Sequence, residues 1–439
     1  MAKMKDKKKK QLLQNTFFLY CLTFSAYFFS LITVPYQTRV LGPEFYGKVG
    51  FAFAVMTYFR LVIDFGFILS ATADVSQYRD NKREVSKIYT AVTYAKGLLT
   101  VASFAVLLMV CYTVPFLRQD VFLYVLTFCS VAVTAFLPDF LYRGLEMMKV
   151  ITVRTVTIQA FFVLMIFVFL KNPQQYYFVP LFTLVGNVVA LFIAQLHVSK
   201  KMGIALIRLE KGYVKQTIVK SSPFFFSRIA ATMYQATNTL FIGLMYSPTN
   251  AKVGLYVASD RLVGTAKSAF SPIADSLYPY MVKNRDFKLL KKILWVIMPP
   301  VIIGCIVLGI YANEFMALFL GESFYGAGSI LRLLLPVVVM TPVVYLLGFP
   351  TLSPMGLAKH ANRSTIISSF VQIIGLSALF LTETFTITTL CLVTVLSQFT
   401  VLLHRALVVW KNRHLFQQKE SNLDASKNKR KTANIKSTC

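Results

Sequence analysis

Arg60 and Asp64 are charged residues four apart inside the long apolar run FYGKVGFAFAVMTYFRLVIDFG, which follows the turn Leu41-Gly42-Pro43. Charge within an apolar span is costly and marks a functional site by default. At i and i+4 the two share one helix face. They read either as an internal ion pair that holds two spans together or as a charged wall of a polar cavity. Lys96, Arg228, Arg261 and Lys267 are comparable, each, like Arg60, ten to sixteen residues into its span. The acids at matching depth are Asp64 and Asp260. Unpaired Lys or Arg does not face lipid, so the surplus of cation is expected to line a water-filled cavity that attracts anions. Arg60 is placed to pair with Asp64, and Asp260 and Lys267 share a face of their span. Arg228 and Arg261 are then the least neutralised, and arginine's planar fork suits bidentate contact with phosphate. Asp64, Asp260 and Asp139 are the candidates for coupling to protons or cations. Arg332 and Arg405 lie near span ends, where long side chains snorkel outward.

Polar stripes flank these charges. Arg228, Thr232, Gln235 and Thr239 share one face of their span, and Tyr20, Thr23, Tyr27 and Ser30 share a face of the first. Tyr27 and Gln235 are candidate sugar contacts on such faces; hydrogen bonding between helices is the competing reading.

The elements that must position these groups are membrane helices. Hydrophobic residues make up 56% of the 439-residue chain and charged residues only 15%, against roughly 25% charged in soluble domains. Apolar runs of about 20 residues recur from end to end, each long enough to cross a hydrocarbon core of ~30 Å. Twelve spans are expected, at about 12–34, 45–70, 87–112, 120–142, 151–170, 176–198, 217–245, 252–279, 290–311, 327–348, 364–381 and 387–409. The first is too long for a signal-peptide core and is read as retained.

The net charge of +28 invites a nucleic-acid reading, but its placement excludes one. With the N-terminus inside, 34 of the 46 Lys and Arg fall in the tails and cytoplasmic loops and five in the external loops. That bias is the positive-inside signal, placing both termini in the cytoplasm, with anionic-lipid contact as a secondary effect. The six Cys and four His show no pairing or ligand spacing, so no metal or cofactor is expected. There is no P-loop, HExxH or CxxC motif, and no loop large enough for a catalytic domain, so no catalytic residues are assigned.

The triplet Lys48-Val49-Gly50 returns as Lys252-Val253-Gly254, each time after an odd-numbered span. This predicts two six-helix lobes in one orientation around a central cavity, the parallel kind of transporter repeat. The expected organisation is a basic tail over 1–11, an N-lobe over 12–205, a C-lobe over 206–410 and a basic tail over 411–439. Prolines at 138, 223, 272, 299, 300, 336 and 342 punctuate the spans, suiting either moving gates or simple helix shaping.

TRVLGPEFYG with its following aromatic span and DFGF, then GLYVASDRL…SPIADSLYPYM and LGESFYGAGSILRLLLP, resembles the Wzx-type polysaccharide flippases. These belong to the multidrug/oligosaccharidyl-lipid/polysaccharide exporter superfamily. The likeness covers about residues 10–410. It implies an all-helical fold of twelve spans in two lobes. It further implies transport of undecaprenyl-pyrophosphate-linked oligosaccharide repeat units across the bacterial inner membrane, with a polysaccharide polymerase and a chain-length regulator as partners. Arg60, Lys96, Arg228, Arg261 and Lys267 are the matching cavity cations. The first span lacks the central charge of the peptidoglycan-precursor branch, which favours the O-antigen or capsule branch. A multidrug exporter of the same superfamily, and a membrane polymerase or transferase for lipid-linked sugars, are the alternatives.

Overall fold

The computed structural model describes residues 2–413, with side chains from 14 onward except those of 227, 230, 231 and 233–236. The rest of the basic tail expected over 411–439 lies outside the described residues. Every element among them is helical. The longer helices are α1 (Ala2–Asp64), α2 (Phe67–Gln77), α3 (Lys82–Thr113), α4 (Val121–Ala135), α5 (Asp139–Gly144), α6 (Met148–Phe169), α7 (Phe178–Leu196) and α8 (Tyr213–Tyr246). They continue with α9 (Ala251–Ser268), α10 (Ser271–Asn284), α11 (Phe287–Ile310), α12 (Ala312–Leu320), α13 (Ala327–Leu346), α14 (Ala358–Leu381) and α15 (Ile387–Lys411).

Local chemistry sets the breaks. Gly42 interrupts α1 at φ 67°, and Pro43 opens the second segment, where a missing N–H costs nothing. After Asp64 the chain turns through Phe65 (φ 37°) and Gly66 (φ 77°) into α2. A Cβ on Gly66 would stand 2.8 Å from the Phe224 Cβ, so glycine permits both the left-handed turn and the approach of α8. Asn81 caps α3 by accepting from the Arg83 and Glu84 N–H groups. Pro138 separates α4 from α5.

Nine helical stretches among the described residues are long and apolar enough to cross a membrane. One of them, Gln14–Gln77, has 64 residues, or ~96 Å at 1.5 Å per residue. That length suits two crossings on either side of the Gly42 kink. The spans expected at 217–245 and 252–279 are helical but fall outside the nine. They are the ones that carry Arg228, Asp260, Arg261 and Lys267. Elsewhere apolar side chains point outward: Trp295 is 71% and Ile303 62% exposed on α11. Such a face belongs against lipid. The chain is an all-α integral membrane protein.

The helices pack as two units, Met1–Ser259 with Asn313–Gly328 and Asp260–Ala312 with Ser329–Cys439. In the first, one core joins Phe67, Val75, Tyr89, Val92, Phe140 and Tyr142, and another joins Phe51, Met56, Ile63, Leu107, Tyr124 and Phe128. Within this unit the helices that carry the two Lys-Val-Gly repeats meet. A Cβ on Gly254 would lie 1.7 Å from the Pro43 carbonyl oxygen, one on Gly47 2.5 Å from the Gly254 nitrogen, and one on Gly50 2.6 Å from Val257. The glycines therefore allow backbone-close helix packing, as small residues do in membranes. Lys48 of the first repeat pairs with Asp120 and lies 4.7 Å over the Tyr176 ring; Lys252 of the second lies 4.9 Å over Tyr246.

In the second unit Arg405 departs from expectation. It does not snorkel outward but is 9% exposed. It donates to Ser364 Oγ (2.9 Å), the Val344 carbonyl (2.6 Å) and the Ala361 carbonyl (3.2 Å), so one guanidinium fork ties α13, α14 and α15. Charge-assisted bonds of this kind contribute more than neutral ones. Arg332 is spent locally, donating to the Gly309 carbonyl (2.7 Å) at the end of α11.

Two glycines of α9 separate close packing from helix propensity. Gly254→Ala is expected to lower the thermal unfolding midpoint in detergent, because its Cβ meets the Pro43 carbonyl. Gly264→Ala, with nothing within 4 Å, is expected to leave the midpoint unchanged or raise it, by up to about 1 kcal/mol of stability. Tryptophan fluorescence on heating reads both; equal effects would contradict the close packing.

Candidate functional site

Asp64 sits at the end of α1, on the last turn before Gly66. Its Oδ1 is 3.3 Å from Lys96 Nζ and its Oδ2 3.5 Å from Arg60 Nε. One carboxylate thus serves two cations from two helices. The cations differ in exposure: the Lys96 side chain is 7% exposed, whereas that of Arg60 is 53% exposed. Lys96 is committed on a third side as well. Its ammonium donates to the Ala135 carbonyl and lies 5.8 Å over the Phe140 ring. Ala135 ends α4 at the Pro138 break, where the Asp139 N–H turns to the Leu137 carbonyl (2.8 Å). The negative end of the α4 dipole favours a cation there, and the freed carbonyl finds a donor. A buried ammonium survives in the apolar interior because a carboxylate, a carbonyl and a ring face share it.

Asp139, on the far side of the same break, belongs to a separate pair. Arg154 at the start of α6 donates to its Oδ1 at 2.6 Å. The Arg154 side chain is only 10% exposed, and its Nε and Nη1 are buried without a protein partner among the described residues. Fifteen residues and a turn separate Arg154 from Asp139, and no spacing rule joins them.

Arg228 is half-buried on α8, with no hydrogen bond or ion pair among the described residues. Tyr27 is half-buried on α1. The side chain of Gln235 lies outside the described residues. Its neighbours Thr237, Asn238 and Thr239 are buried, and Thr237 meets the Tyr58 hydroxyl at 2.9 Å. Thr237 lies on the opposite side of α8 from Arg228, Thr232, Gln235 and Thr239, so this bond joins helices through another face.

Asp260, Arg261 and Lys267 fall in the second unit. Asp260 and Lys267 lie within electrostatic reach of each other, and Cys391 on α15 lies within reach of Asp260. Arg261 is exposed. The structure thus brings Arg60, Asp64 and Lys96 into one cluster, joins Asp260 with Lys267, and gives Asp139 a partner of its own. Arg60, Arg228 and Arg261 keep guanidinium capacity for an anion.

A family model described as polysaccharide biosynthesis protein matches residues 12–285. Two relatives carry the name "Putative O-antigen transporter". The Escherichia coli K12 protein is 26% identical over 271 residues, 62% of this chain and 65% of that protein. The Shigella dysenteriae protein is 23% identical over 367 residues, 82% of this chain and 91% of that protein. Among solved structures, the lipid II flippase MurJ in an inward closed conformation superposes with TM-score 0.70 at 12% identity, over 90% of this chain and 87% of that one. A multidrug resistance MATE family transporter of the MOP superfamily, inward-facing, gives TM-score 0.67 at 14% identity, over 90% of this chain and 96% of that one. The chain is therefore a member of the polysaccharide biosynthesis protein family, built on the fold of the MOP-superfamily transporters.

Proposed function

We propose that this chain is a flippase that carries undecaprenyl-pyrophosphate-linked oligosaccharide repeat units across the bacterial inner membrane, for O-antigen or capsule synthesis. The observation that carries the reading is the Arg60–Asp64–Lys96 cluster. Its acid is shared between two cations, so the ensemble is net positive, and the half-exposed Arg60 is free to turn its fork to an anion. Arg228 and Arg261 add cation within the spans. The Arg60–Asp64–Lys96 cluster draws a pyrophosphate head group and repels the cationic drugs that a multidrug exporter would take. The named relatives support the same reading. Tyr27 and Gln235 are proposed sugar contacts, and the lipid tail stays in the bilayer.

In this proposal the lobes read from the repeat, 12–205 and 206–410, rock to expose the site to one face and then the other. Lys96 joins α1, α3 and the Pro138 break of α4 and α5, so head-group binding at Arg60 is felt at a hinge. Asp64, Asp260 and Asp139 are the acids proposed for coupling to an ion gradient. A polymerase and a chain-length regulator are the proposed partners downstream.

Two outcomes are expected. In cells lacking their own transporter, Arg60→Ala or Arg261→Ala should cut surface polysaccharide about tenfold, the worth of one charge-assisted hydrogen bond. Lipid-linked repeat units should accumulate in the cytoplasmic leaflet, with protein levels unchanged. Normal export by both variants would sink the site assignment. For orientation, alkaline phosphatase fused after Arg118 should be active and after Arg208 inactive; the reverse pattern would invert the topology.

A further inference from the structure

Where the first turns of α8 pass α2, within the first unit, a recess of about 180 Å³ opens. Its polar lining is Ser70, Asp74, Gln216, Thr217, Lys220 and Ser221. Two polar contacts close it. Ser70 and Ser221 hydroxyls meet at 2.7 Å, buried, and Lys220 Nζ pairs with Asp74 Oδ1 at 2.6 Å. Deeper in, Phe65 stacks on Phe225 with ring centroids 4.4 Å apart. The Lys220 side chain is 62% exposed and that of Asp74 only 21%. The cation therefore stands at the rim and its counter-ion inside.

The surroundings favour anions. The loops framing the recess, 74–87 and 200–220, hold ten Lys and Arg against four Asp and Glu, and the Lys/Arg count assigns this end to the cytoplasm. Tyr213 and Gln216 in the first turn of α8, and Thr217, Lys220 and Ser221 in the next two, form one wall. Hydroxyls, an amide and an ammonium are the donors that a phosphate takes; the one carboxylate occupies the place that a phosphate oxygen would fill. We propose that this recess is an anion-operated latch. A phosphate-bearing head group docks on Lys220, displaces Asp74 and parts α2 from α8. The ligand class rests on the flippase reading above; the latch rests on the contacts themselves. It is distinct from the Arg60–Asp64–Lys96 cluster and acts before the head group reaches it.

The test is disulfide trapping. Ser70→Cys with Ser221→Cys, the native cysteines replaced, places two thiols where two hydroxyls now touch. In neutral phosphatidylcholine nanodiscs an oxidant should form the crosslink. Inorganic pyrophosphate should slow it about two- to fivefold, the range of an exposed ion pair, and Lys220→Gln should abolish that response. Phosphatidylglycerol nanodiscs without pyrophosphate form the second arm; slowing there alone upholds the latch and assigns its operation to bilayer lipid. A rate that neither pyrophosphate nor phosphatidylglycerol changes, or a response that survives Lys220→Gln, overturns the proposal, as does failure of the thiols to crosslink. Should the cysteine pair not accumulate, calorimetry of pyrophosphate binding to the native chain and to Lys220→Gln decides, with equal binding overturning it. Because no arm measures export, failure here leaves the flippase reading to its own experiment.

Discussion

A carboxylate at the end of an apolar span has to be neutralised where it stands. Asp64 is neutralised twice, by Arg60 on its own helix and by Lys96 across the packing. That double pairing fixes much else in the first unit. It places the Lys96 ammonium at the Pro138 break, where the Ala135 carbonyl takes a donor. It sets the last turn of α1 just before Gly66, so that α8 can approach within contact of the turn. It also leaves Arg60 only partly held. Removal of the acid would strand two cations, and removal of Lys96 would strand a helix end and leave the acid to Arg60 alone.

Much of this was legible in the sequence. The helical membrane class followed from composition and run length, and the break at Gly42-Pro43 from residue type. The Arg60–Asp64 pair followed from i,i+4 spacing, because a helix brings those positions together whatever surrounds it. The Lys-Val-Gly repeat was read for two lobes; the packing of Gly254 against Pro43 and Gly47 was not legible in it. What spacing cannot reach is contact between helices. Lys96 joining Asp64, Arg154 joining Asp139 and Lys220 joining Asp74 are pairings across 32, 15 and 146 residues, and no local period encodes them. Arg405 shows the same limit: a terminal position suggested snorkelling, but neighbouring carbonyls and hydroxyls pull the guanidinium inward.

The first unit also holds two kinds of helix contact along one path. Around Gly47, Gly50 and Gly254 the helices meet backbone to backbone, dry and shape-dependent. Around Ser70, Asp74, Lys220 and Ser221 they meet through polar pairs beside an open recess. Close apolar packing is lost in full once helices part, whereas hydroxyl and ion-pair contacts exchange readily with water or an anion. The polar contact is accordingly the easier one to open.

The central claim is electrostatic: the in-span cations act on the charged linkage between lipid and sugar. The most direct measurement is flipping in proteoliposomes of two substrates with the same glycan and polyprenyl chain, one joined by pyrophosphate and one by a neutral ether. Lectin accessibility reports arrival at the outer leaflet. Cavity cations that select the head group predict fast flipping of the pyrophosphate form and flipping of the neutral form at the protein-free rate. Equal, protein-dependent flipping of both forms would contradict it.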